Sequence, residues 1–194
     1  MSHFYPKIEL NERNFLLAIY PEFHTKLFPD SKLKTEHINT IVDKKYANSI
    51  SKVYLSKAPQ AKLLEPEDIL LIYRTKDKNT NSPAYYSSVA TSICIVKEIK
   101  NINDFSSPLD FKSYCNGTSV FNNNDLQEFY NKGKYTTAIK FDYYFSLDKR
   151  ITRANIIKIA PRLENERWTL LKLKDSEIKE ILTISNNFKF IKNK

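Results

Sequence analysis

The sequence predicts an α+β domain: a mixed sheet curling into a small β-barrel, with short flanking helices and an N-terminal arm. Three observations lead there. First, strand-like segments do not alternate regularly with helical ones, which argues against a doubly wound parallel sheet. Second, the long apolar segment 85–99 carries small residues at Ser88, Ala90, Ser92 and Cys94 and β-branched residues at Val89, Thr91, Ile93 and Ile95. A side lined by small residues lets another element approach closely, as in a tightly curved barrel. Third, 194 residues with 41% hydrophobic content suffice for one core that buries about 70% of the unfolded surface. The simplest division is an arm over 1–48 packed on a barrel over 49–184, followed by a basic tail over 185–194.

The elements follow in order. FLLAIY, residues 15–20, is a short buried strand stopped by Pro21. EFHTKLF, 22–28, is a helical turn with Phe23, Leu27 and Phe28 on one side, ended by Pro29. Thr35 and Glu36 open a helix over roughly 36–46 through Ile38, Ile41 and Val42. SISKVYLS, 49–56, is strand-like in composition. Asp68 to Thr75 is a second strand, with Tyr73 and Arg74 on opposite faces, and Tyr85 to Ile99 is a third. A helix over 104–116 precedes a second, capped by Asn124 and closed by Gly133. Thr136 to Phe145 alternates as a strand, and Thr152 caps RANIIKIA, stopped by Pro161. RWTLLKL, 167–173, is the last strand, and Asp175 or Ser176 caps SEIKEILTI.

Composition excludes several functions. The two glycines, Gly117 and Gly133, lie far apart. A phosphate loop or dinucleotide fingerprint needs clustered glycines so that backbone N–H groups can approach phosphate. The two cysteines, Cys94 and Cys115, form no disulfide framework and read as small core residues. His3, His24 and His37 have no Cys or His partner at ligand spacing, so neither a metal nor a cofactor is expected. No apolar run approaches the roughly 20 residues needed to cross a bilayer. The opening MSHFYPKIELNERN lacks the basic-then-apolar order of a secretory signal. The expectation is a soluble, cytoplasmic protein. The net charge of +9 favours a polyanionic partner, although the lysine, asparagine and isoleucine content of AT-rich coding accounts for part of it.

KVYLS, EDILLIYRTK and PAYYSSVATSICIVKEI together resemble the opening of a PUA-like barrel, and are most similar to its EVE and ASCH groups. SVFNNNDLQEFY, YYFSLDKRITRANI and the N-terminal YPEFHTKLFPDS resemble a PUA-like domain found fused behind acetyltransferase domains. The glycine usual before the second strand is here Glu67, and the Gly-x-Lys-x-x-Glu-x-Arg signature of ASCH domains is absent. The resemblance implies a non-enzymatic module that binds RNA or a modified base in a pocket at the 73–88 strand junction.

The residues suit that role. Tyr73, Tyr85 and Tyr86 offer stacking faces. Arg74 can pair with phosphate or a base edge. Thr75, Ser87 and Ser88 supply hydrogen bonds to an exocyclic group. Lys149, Arg150 and Arg153, beside the helix start at Thr152, and Lys57, beside the first strand, are the candidate phosphate contacts. Each has a plainer alternative: a strand tyrosine packs, an arginine pairs at the surface, and a strand serine is small to admit backbone. Two other functions fit the resemblance. One is a small nucleoside-type amidohydrolase using Lys57, Thr75 and Glu98. The other is a protein-interaction module partnering a separate acetyltransferase or toxin.

Overall fold

The computed structural model describes residues 6–31, 49–133 and 135–192. Among them are six strands: β1 (Asn14–Ile19), β2 (Ser51–Ser56), β3 (Ile69–Arg74), β4 (Val89–Asn101), β5 (Thr137–Thr152) and β6 (Leu170–Leu173). Six short helices accompany them: α1 (Pro21–Leu27), α2 (Ala84–Ser87), α3 (Pro108–Cys115), α4 (Asn123–Lys132), α5 (Arg153–Ile159) and α6 (Asp175–Ile184). One sheet runs in the order β2-β5-β4-β3-β1-β6. It is mixed: β1 is parallel to β3 and antiparallel to β6, and β2 is antiparallel to β5. This is the expected α+β architecture. The sheet is open, with β2 and β6 at its ends among the described residues. The helix expected over 36–46 lies outside the described residues.

The chain divides into two compact units, one of Met1–His24, Asp68–Cys94 and Tyr144–Lys194, the other of Thr25–Glu67 and Ile95–Tyr143. In the first, β3 is buried at all six positions. A parallel strand covered on both faces reads as a continuous apolar run, and ILLIY is such a run. β1, inside the stretch set apart by sequence as an arm, is an interior strand of this sheet, in register with β3 from Asn14↔Ile69 to Ile19↔Arg74. Near the other end of the chain, Ser185 and Asn187 are buried, and Ile191 bridges to Ile8. In the second unit, Val53, Leu55, Phe105, Phe111, Leu126 and Phe129 form the core with the buried thiol of Cys115.

Several local expectations shift for identifiable reasons. The strand expected from Tyr85 begins only at Val89. Pro83 fixes an extended N-cap (φ −58°, ψ 144°), and residues 84–87 wind into the helical turn α2. Ser87 Oγ donates to Pro83 O at 2.9 Å and fastens that turn. The cap of α4 is Asn122 rather than Asn124: its Oδ1 accepts from the N–H groups of Asn124 and Asp125, and Asp125 reciprocates. Asp175 does not cap α6, because its Oδ1 accepts from Glu12 N–H and Asn14 Nδ2, while Glu177 reaches back to the N–H of Lys174. β5 continues well past Phe145, to Thr152, whose hydroxyl caps α5 by accepting from Asn155 N–H.

Glu67, at the entry to β3, has φ 70°. Glycine adopts that left-handed conformation without steric cost, whereas Glu67 adopts it under strain. Next to it, the fully buried Asp68 carboxylate accepts from Nε and from a terminal guanidinium nitrogen of Arg13, the latter at 3.0 Å.

Candidate nucleic-acid interface

The tip of β3 presents two faces, because consecutive strand residues point oppositely. The first is the Tyr73 face, built wholly within the first unit. Tyr73 is buried and lies tilted against Trp168, ring centroids 4.8 Å apart. The guanidinium of Arg153, the first residue of α5, sits over the Trp168 ring at 4.5 Å. Burial raises the Tyr73 phenol above its usual range, and its hydrogen bond with Ser88 and the Arg153 charge pull part of that back. Backbone contacts hold the cluster: Arg153 N–H donates to Ser88 O at 3.0 Å, Trp168 Nε1 to Leu163 O at 2.9 Å, and an Arg153 terminal nitrogen to Glu164 O at 3.4 Å. α2 packs on α5. It brings Tyr85 and Tyr86 alongside, edge to face at 5.0 Å, with Tyr86 65% exposed.

The second face is the Arg74 side, sealed from water. Arg74 and His24 are both buried. His24 Nε2 lies 2.8 Å from Thr91 Oγ1, and Thr91 Oγ1 donates to Ile72 O. Arg150 closes this side by donating to Thr91 O and Leu147 O. The His24 imidazole is pushed down to about 3, first by burial and then by the Arg74 and Arg150 charges. It is therefore neutral at physiological pH.

The structure thus divides the residues singled out by sequence. Tyr73, Ser88 and Arg153 share one cluster, with Tyr85, Tyr86 and Ser87 on the helical turn beside it. Thr75 follows directly on β3, its N–H donating to Ile19 O at 3.0 Å. Arg74 and Arg150 belong to the sealed face instead. Lys149 is exposed, its N–H donating to Ser185 O at 3.3 Å. In the second unit, Lys57 lies 5.0 Å over the Tyr135 ring, and Glu98 pairs with Lys100 at 3.3 Å. Sequence reasoning missed Trp168 and His24. Among the described residues no group of three or more His, Cys, Asp and Glu could hold a metal ion, and no helix is long and apolar enough to cross a membrane.

No protein-family model matches the chain, and no curated protein does. Solved structures do match it. An ASCH protein from Zymomonas mobilis superposes with a TM-score of 0.56 at 11% identity, covering 90% of this chain and 96% of that one. The fold is PUA-like. A hypothetical protein from Leishmania major matches with a TM-score of 0.51 at 13% identity, covering 91% of this chain and 96% of the other. Human THYN1 protein, in complex with 5-methylcytosine containing DNA, matches with a TM-score of 0.48 at 8% identity over 89% and 96% of the two chains. At such identities the likeness concerns the PUA-like fold, and the chemistry of the β3 tip rests on this chain's own residues.

Proposed function

We propose that the chain is a nucleic-acid-binding module that takes a base of RNA or a modified base onto the Tyr73–Trp168 cluster. The observation that carries this is the Arg153 guanidinium 4.5 Å above the indole of Trp168, itself lying against Tyr73. A planar cation on a half-buried indole occupies the kind of face on which a base stacks. When a base takes that face, the guanidinium moves to phosphate or to a base edge, where it pairs in the plane of its fork. Tyr86, exposed on α2 where it packs on α5, offers a second ring, and the exposed Lys149 lies in β5 four residues before α5. The distribution of arginine supports the same site. Lysine dominates this chain, yet of six arginines four, Arg150, Arg153, Arg162 and Arg167, fall within the 18 residues that lead to the sole tryptophan, Trp168.

The test is fluorescence anisotropy of short labelled single-stranded RNA, plain DNA and 5-methylcytosine DNA at two salt concentrations. Binding should weaken steeply with salt. Trp168→Ala and Arg153→Ala should each cost about 1–3 kcal/mol, the usual worth of one stacked base. Affinity unchanged in both variants would remove the proposal.

A further inference from the structure

The first unit also holds a cavity of about 520 Å³ where β6 ends and α6 begins, a volume within the range of roughly 300–1,000 Å³ usual for small-molecule sites. The local sequence brings charge to it. Lys172 lies in β6, Leu173 is fully buried, and Lys174 is extended (φ −80°, ψ 156°), so the two lysines point to the same side. Both line the cavity together with Arg162, Glu12 and Asp175.

Hydrogen bonds fix this framework and sort its charges into two ends. At the basic end, Nη2 of Arg162 donates to Lys172 O at 2.9 Å and to Glu177 Oε2 at 2.6 Å, and the same Glu177 oxygen accepts from Lys174 N–H at 2.8 Å. Nε and Nη1 of Arg162 make no hydrogen bond among the described residues and keep their donors. At the acidic end, Asp175 Oδ1 accepts from Glu12 N–H at 3.0 Å and from Asn14 Nδ2 at 2.7 Å. Glu12 holds a left-handed φ of 62° where it makes that contact, a conformation that persists in a non-glycine residue only when its surroundings impose it.

The charges of Arg162, Lys172 and Lys174 balance those of Glu12, Asp175 and Glu177, so the cavity has no field to draw a polyanion. The two signs are nevertheless not spent on each other. Among the described residues no ion pair joins Lys172 or Lys174 to Glu12 or Asp175, although all four line one cavity. A ligand that answers both ends carries an anionic group and a cationic group.

We infer that this cavity binds a small zwitterion of the amino-acid class, its carboxylate held by Arg162, Lys172 and Lys174 and its ammonium group by Glu12 and Asp175. The site is separate from the base-binding face and stands or falls without it.

The experiment is isothermal titration calorimetry of the full chain at low salt with alanine and alanyl-alanine, each also in N-acetylated and C-amidated form. At least one unblocked ligand should bind, and its blocked forms should bind about 10-fold or more weakly, the worth of one charge-assisted hydrogen bond. Tighter binding of alanine assigns a free amino acid, and tighter binding of alanyl-alanine a short peptide. Glu12→Gln should weaken the unblocked ligand by about 10-fold and leave the N-acetylated form unchanged; Lys172→Met should weaken it similarly and leave the amide unchanged. Arg153→Ala should bind the zwitterion as the wild type does, and melting temperatures identify any variant that fails to fold. No heat with either unblocked ligand, equal binding of the blocked forms, or undiminished binding in folded Glu12→Gln and Lys172→Met overturns the inference and leaves base binding intact.

Discussion

The two sides of the β3 tip use similar residues for opposite ends. On the Arg74 side, His24, Thr91 and Arg74 are packed out of water. His24 is held neutral against Thr91, and Arg150 is spent on backbone carbonyls. On the Tyr73 side, an arginine rests on a half-exposed indole. A buried polar layer rigidifies a sheet, whereas a cation resting on a half-exposed ring face can give way to a stacking ligand. The difference teaches that the sealed face stabilises the tip and the open face can be used. Mutations should separate the two, moving stability on one side and binding on the other.

The largest expected effect belongs to the sealed face and to acid. In the unfolded chain His24 takes up a proton near its ordinary value of 6.5, but in the folded chain only near 3. The unfolded state therefore binds more protons throughout that window, so stability is full above about pH 6.5 and falls as pH drops toward 3. The loss between pH 7 and pH 4 should be about 3 kcal/mol. Urea unfolding across that range measures it, and His24→Gln should flatten the profile. A wild-type profile without slope would break the comparison.

Next in size is Thr91→Val, which takes the hydroxyl from His24 Nε2 and should cost about 1–3 kcal/mol of stability while leaving RNA affinity at pH 7 unchanged. Arg153→Ala should show the reverse: under about 1 kcal/mol of stability, the worth of an exposed cation–π contact, with binding weakened by about 1–3 kcal/mol. Smallest is Glu67→Gly at the entry to β3. It relieves a left-handed backbone at φ 70° and gives up a solvent-facing pair with Lys97 at 3.0 Å. The net gain should be up to about 1 kcal/mol in a thermal melt, and a loss would mean the Lys97 pair outweighs the strain.

How much of this was legible in the sequence depends on whether the decisive neighbours are near in the chain. β3 was legible because a short apolar run with Tyr73 and Arg74 on opposite faces has the length and composition of a strand, and the Thr152 cap with α5 follows from local hydrogen-bond chemistry. Tyr73 and Ser88 were found because they end apolar segments close in sequence. Tyr85 to Ser87 were placed on a strand because alternation was extended backward past Val89, although Pro83 had already set the start of a turn. Trp168 was passed over as the beginning of RWTLLKL, since nothing local reveals that a residue 95 positions away supplies its stacking partner. The concentration of arginines just before it was the available signal. His24 was set aside with the N-terminal stretch because its partner, Thr91, is 67 residues distant. The parallel pairing of β1 with β3 has no local signature at all.

The most direct test of base binding at the Tyr73 face is ultraviolet cross-linking of the wild-type protein to a single-stranded uridine-rich RNA, with the attached residue mapped by mass spectrometry. Cross-links should fall on Trp168 or on the α2 tyrosines, Tyr85 and Tyr86, and should disappear in Arg153→Ala. Cross-links confined to the aromatic residues of the second unit, such as Tyr114 or Tyr135, would contradict the account.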